Sequence, residues 1–148
     1  MITWRTLVQW AQQGYTMKPD GHYIKERGLF VKKPENCAEF TASDGCRLRE
    51  LLHNKNDPVD LPYSIALARV ETGGRTYRHR LDRTEVYYIL SGCGRLHVDA
   101  EARDVAAGEA VLVPPGTQQW LENTDDAELR FLAIVSPPWS EAGDERLE

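Results

Sequence analysis

The 148 residues include only three cysteines, Cys37, Cys46 and Cys93, too few and too dispersed for a disulfide framework or a thiolate metal site. An odd, unpaired set reads as reduced thiols in a cytoplasmic chain, small side chains in the core or in turns. No apolar stretch approaches the ~20 residues of a membrane-spanning helix, and Met1-Ile2-Thr3-Trp4-Arg5 lacks a signal-peptide pattern. Clustered positive charge is missing too. The formal charge is −5, and Lys32-Lys33 and Arg78, Arg80 and Arg83 are outweighed by interleaved acids, which argues against a nucleic-acid footprint. Internal repeats and low-complexity runs are also lacking. With 41% hydrophobic and 28% charged residues, the chain has the composition of one ordinary globular domain.

The hydrophobic period changes once along the chain. Trp4, Leu7, Val8 and Ala11 recur at helical spacing, with Thr3 placed to cap the helix and Gly14 to end it. The polar, turn-rich residues from 15 to 28 read as a connector. From Leu29-Phe30-Val31 onward the period is that of strands. Asp44-Gly45 marks a hairpin between Ala38–Thr41 and Cys46–Leu52, and His53–Pro62 is a polar loop. Tyr63–Val70, Glu85–Leu90, Gly94–Val98, Ala110–Val113, Gln118–Leu121 and Leu129–Val135 follow, each bounded by Gly, Pro, Asn or Asp. Short strands at such regular intervals predict an all-β barrel or sandwich preceded by one short helix. The expected organisation is an N-terminal helix and connector (1–30), a barrel (31–139) and an exposed acidic tail (140–148).

Two tandem patterns carry the chemistry. The first is Gly73, five residues, His79, one residue, Leu81, three residues, Glu85, six residues, Gly92. The second is Gly108, five residues, Pro114-Pro115-Gly116, two residues, Gln119, three residues, Asn123. Their spacing resembles the paired signature of the cupin superfamily, G-x5-H-x-H-x3-E-x6-G followed by G-x5-P-x-G-x2-H-x3-N. Leu81 and Gln119 stand where that signature has histidines. The resemblance covers roughly residues 35–139 and is closest to small single-domain bacterial cupins loosely described as mannose-6-phosphate-isomerase-like. It implies a jelly-roll barrel, a double-stranded β-helix, and a homodimer.

Side chains alternate across a strand, so His79 and Leu81 share a face, as do Glu85 and Tyr87. In a jelly roll that face is the interior. The resemblance then implies a metal set of His79, Glu85 and Gln119, with one imidazole, one carboxylate and one amide oxygen for a divalent ion such as Fe, Mn, Zn or Ni. The alternative is a metal-free pocket in which His79 and Glu85 bond each other. Glu85-Val86-Tyr87 is similar to the E-x-Y of cupin lyases that cleave dimethylsulfoniopropionate, which implies acid/base roles for Glu85 and Tyr87. Cupin chemistry of this kind is isomerase or lyase action on a small polar substrate, a sugar or a carboxylate. A metal-dependent dioxygenase and a non-catalytic small-molecule sensor are the other readings. His97 is a spare imidazole that either stands in for Leu81 or lies on the surface. Arg69 is a candidate anion contact if it faces inward, and the opposite parity of Trp120 to Gln119 places it outside.

Overall fold

The computed structural model describes residues 4–26 and 28–148; the expected cap, Thr3, lies outside the described residues. Helix α1 (Trp4–Gln12) leads into β1 (Tyr15–Met17) and β2 (Tyr23–Lys25). The barrel strands are β3 (Phe40–Thr41), β4 (Arg47–Leu52), β5 (Ser64–Val70), β6 (His79–Leu81), β7 (Thr84–Ser91) and β8 (Cys93–Val98). They continue with β9 (Glu101–Ala106), β10 (Ala110–Val113), β11 (Gln118–Asn123), β12 (Leu129–Ser136) and β13 (Asp144–Arg146).

Two antiparallel sheets form the barrel, one in the order β10-β7-β12-β5-β4-β3 and the other in the order β13-β6-β11-β8-β9. This is the expected jelly roll with one short N-terminal helix. Strand alternation decides what the sheets enclose. On β7, Glu85, Tyr87 and Ile89 are buried; on β12, Leu129, Phe131, Ala133 and Val135; on β11, Gln119, Leu121 and Asn123. Phe131, Ile89, Leu121 and Leu129 are among the largest fully buried side chains of the interior. On β5 the residues beside them are small: Ala66 pairs with Ala133 and Ala68 with Phe131, and a cavity lined by these residues opens beside Glu85.

Three elements depart from the expectation. Leu29–Val31 forms no strand, and Leu29 and Val31 are exposed. The supposed connector instead holds the β1–β2 hairpin, whose Tyr15 and Tyr23 pack on Trp10 at 6.1 and 4.8 Å between ring centroids. That cluster belongs to the helix, and no α1 residue is buried. The segment from Ser140, expected as a free tail, folds into β13 and pairs with β6, Asp144 opposite Leu81 and Arg146 opposite His79. Glu148 anchors it further, accepting from the Arg78 backbone N–H at 2.9 Å and pairing with Arg75 at 3.0 Å. No described helix is long and apolar enough to cross a membrane.

Candidate functional site

β6 and β11 are hydrogen-bonded neighbours with His79 directly opposite Gln119. Glu85 reaches the same point from β7 in the other sheet, so the cluster is stapled from both sheets of the barrel. All three side chains are buried. The His79 imidazole Nδ1–H donates to the Tyr77 carbonyl at 3.0 Å, which leaves Nε2 as a lone pair facing inward. The Gln119 amide nitrogen lies 3.2 Å from that lone pair and 2.6 Å from Glu85 Oε2. A carboxylate and a ring lone pair both require a donor, and only the NH₂ end of the amide supplies one to each.

Glu85 sits in surroundings that oppose its ionisation. Burial is the largest influence and raises its pKa from the ordinary 4.5 to about 7, against the lowering effects of His79 and the Gln119 amide. Tyr87 follows Glu85 by two residues on the same buried face of β7, close enough to be the smallest of the influences that lower the Glu85 pKa. Its own pKa is pushed well up by burial and by the nearby Glu85, so it stays protonated. The Tyr87 ring is fixed edge-on against Phe131, 5.1 Å between centroids.

Above the cluster the cavity has a volume of about 370 Å³ and is walled by His79, Leu81, Glu85 and Tyr87. Gln119 lies behind this wall, fully buried. Cys46 also reaches the cavity, where burial and the Asp44 and Glu85 carboxyls raise its thiol pKa well above normal; it is a packing thiol, not a nucleophile.

The structure brings His79, Glu85, Tyr87 and Gln119 together as expected and keeps two other candidates away. Arg69 points out of the barrel to Glu39 at 2.8 Å and Glu128 at 2.6 Å, so it is no anion contact for the cavity. His97 lies on the outer sheet face, stacked on Trp120 at 4.3 Å and bonded to Glu122 at 3.1 Å. His53, placed by sequence in a loop without partners, is buried at the cavity rim; Nε2–H donates to the Trp139 carbonyl (2.9 Å), and Nδ1 accepts the Lys55 N–H (3.1 Å).

The donor set, as it stands, does not fit a resident metal. Leu81 offers hydrocarbon, and the inward lone pair of His79 and one oxygen of Glu85, Oε2, are taken by the N–H groups of Gln119. Among the described residues no group of three His, Cys, Asp or Glu side chains could hold an ion. The amide oxygen Gln119 Oε1 is buried without a partner.

Comparison with known proteins places this jelly roll in a family directly. Residues 66–135 match the Cupin domain model. An uncharacterized protein of Methanocaldococcus jannaschii is 36% identical over 110 residues, covering 74% of this chain and 87% of that protein. The chain belongs to the cupin family. An oxalate-binding protein of Thermotoga maritima is 28% identical over 88 residues, 59% of this chain and 68% of that one. A Streptomyces nucleoside dehydratase shares the fold, with a TM-score of 0.65 at 19% identity over 82% of this chain and 92% of that structure.

Proposed function

We propose that the cavity is the active site of a small-molecule enzyme that moves a proton, as an isomerase or lyase, and that Glu85 is the group that carries it. The observation behind this reading is a carboxyl held in a buried cluster with its pKa near 7, which makes it able both to accept and to return a proton at neutral pH. Gln119 fixes one carboxylate oxygen, and His79 fixes Gln119. Tyr87, protonated and on the same buried face as Glu85, is positioned to donate to an oxygen developing charge on the substrate. Nothing in this scheme needs a metal. That the same barrel carries a dehydratase in Streptomyces agrees with lyase chemistry as one of its uses, at the level of the fold.

The unpartnered Gln119 Oε1 favours a second reading, in which the amide is turned over and a divalent cation is held by His79, Glu85 and Gln119. Metal analysis of protein purified without a nickel column separates the two. The first reading expects well under one equivalent bound. It also expects exchange of a substrate C–H with deuterated water to persist in chelator and to vanish in Glu85→Gln. A stoichiometric metal whose removal abolishes exchange would instead establish the second. We further propose a homodimer that works in the cytoplasm, the compartment suited to the free thiols of Cys37, Cys46 and Cys93.

A further inference from the structure

Among the described residues, no lysine or arginine lines the cavity, whereas Asp44, Glu50, Glu85, Glu141 and Asp144 all do. Of these five, only Glu50 has an ion-pair partner, Lys55 at 2.8 Å. Lys55 is further occupied by the Trp139 ring, with Nζ 4.9 Å from its centroid.

An unsatisfied polar atom points the same way. Of the two buried side-chain atoms of the described structure without a hydrogen-bond partner, Gln119 Oε1 lies behind the wall, and Asp144 Oδ1, an acceptor, belongs to a residue that lines the cavity. Asp144 is held in place through its other oxygen, which accepts from Trp139 Nε1 at 3.1 Å and from the Ser43 hydroxyl. Asp144 lines the cavity, and its second oxygen, closed off from solvent in this conformation, has its need for a donor unmet. Aromatic side chains line the same cavity, Phe40, Tyr87, Phe131 and Trp139.

We propose that the ligand is a small organic cation, a protonated amine or amidinium on an apolar or aromatic body. The proposal rests on the reading of this cavity as the active site and names the class of substrate for it. The cation's N–H groups satisfy Asp144 Oδ1 and its charge balances the unpaired carboxylates. Its body fills the alanine-lined space, and the aromatic walls favour positive charge near their faces. A carboxylate or phosphate ligand meets the opposite conditions, with several like charges and no cationic donor to hold it. Of the sugar and carboxylate classes expected from resemblance, the carboxylate is therefore the one this cavity is built to reject.

Titration calorimetry of the full chain, with chelator present, tests this with benzamidine, its neutral isostere benzamide, benzoate and oxalate. Benzamidine is expected to bind roughly tenfold or more tightly than benzoate or oxalate. Asp144→Asn and Asp44→Asn should each weaken benzamidine by about fivefold and leave benzamide unchanged, which a general loss of structure would not do. Benzoate or oxalate binding as tightly as benzamidine overturns the proposal, as does no benzamidine binding up to about 10 mM. Ala68→Phe, or the milder Ala66→Leu, narrows the cavity without removing a carboxylate and separates the two levels of failure. If benzoate binds and these variants block it, the cavity stands as the ligand site and only the cation is wrong. If they alter no probe's affinity, the active-site reading falls as well.

Discussion

Gln119 donates its amide N–H to the buried carboxylate of Glu85 over 2.6 Å, across the two sheets of the barrel. The contact makes a neutral side chain, behind His79, a support for a charge that burial disfavours. Its consequences can be measured without knowing the substrate.

The first is a pH dependence of stability. The folded-state pKa of Glu85 is raised from 4.5 to about 7, so between those values the folded chain holds a proton that the unfolded chain has released. Stability from this group falls as pH rises through that window, by a total on the order of 3 kcal/mol. Glu85→Gln removes the dependence. Denaturant titrations at pH 5 and pH 8 should show the parent losing stability and the variant holding level. A parent equally stable at both values would contradict the raised pKa.

The same carboxyl sets the direction of the pH–rate profile. If Glu85 takes the proton as a base, kcat/KM rises with pH through about 7. Tyr87→Phe should then lower kcat by roughly 10²–10⁴-fold and move that pKa upward, since the lost hydroxyl is one of the groups that lower it. A profile that is flat from pH 5 to 8 would assign the proton transfer elsewhere.

A metal centre should be recoverable by two substitutions. Leu81 is buried on the same strand face as His79, and Gln119 stands opposite His79 on the neighbouring strand. The double variant Leu81→His, Gln119→His would turn two further imidazoles toward Glu85 and release the lone pairs that the amide now occupies. Calorimetry should find zinc or nickel bound at least about 100-fold more tightly than by the parent. Equal affinities would mean that the amide never blocked the ion.

Asn123 tests the scaffold instead of the chemistry. Its buried Nδ2 donates to the Val70 and Ala127 carbonyls at 3.0 and 2.8 Å, and its Oδ1 accepts the Asp125 N–H at 2.9 Å. Asn123→Ala strands three backbone groups and should cost about 3 kcal/mol, or ~10 °C in Tm. Binding of any cavity ligand should be far less affected, and a Tm within 2 °C of the parent, by the same scaling, would show the bonds replaced by water.

Assembly is testable on the outer face of the larger sheet. Tyr88, Leu90 and Leu112 are 39, 43 and 63% exposed on the adjacent strands β7 and β10. Apolar side chains at such density on a solvent face fit a surface covered by a second copy. Light scattering at micromolar concentration should give twice the chain mass, and Leu112→Arg should return the single mass. A monomeric parent would remove the dimer.

Much of the site was legible because two local rules sufficed. Motif spacing brought His79, Glu85 and Gln119 to one point, and strand parity put Tyr87 inside and Trp120 outside. Neither rule reports which end of an amide faces a lone pair, so the His79–Gln119–Glu85 circuit appeared only in three dimensions. Long-range pairing was equally silent. Residues 144–146 carry no strand signal of their own and become β13 because β6 offers an open edge. The polar strand β9 escaped for a related reason: five of its six residues are not buried, so its alternation is too weak to read. Tyr15 and Tyr23 look like connector residues until Trp10 is seen between them.

β13 also bears on time. It is three residues long, lies at a sheet edge, and has β6 as its sole strand neighbour, yet it carries Asp144 into the cavity wall. Short edge elements open with far less free energy than the barrel itself. A ligand held by Asp144 would therefore leave at a rate set by the fraying of this strand, while its affinity is set by the rigid core beneath. Slowed amide exchange at residues 144–146 would then report occupancy directly, and how long the site stays filled could be tuned through Glu148 and its arginine partners without altering a single group that touches the ligand.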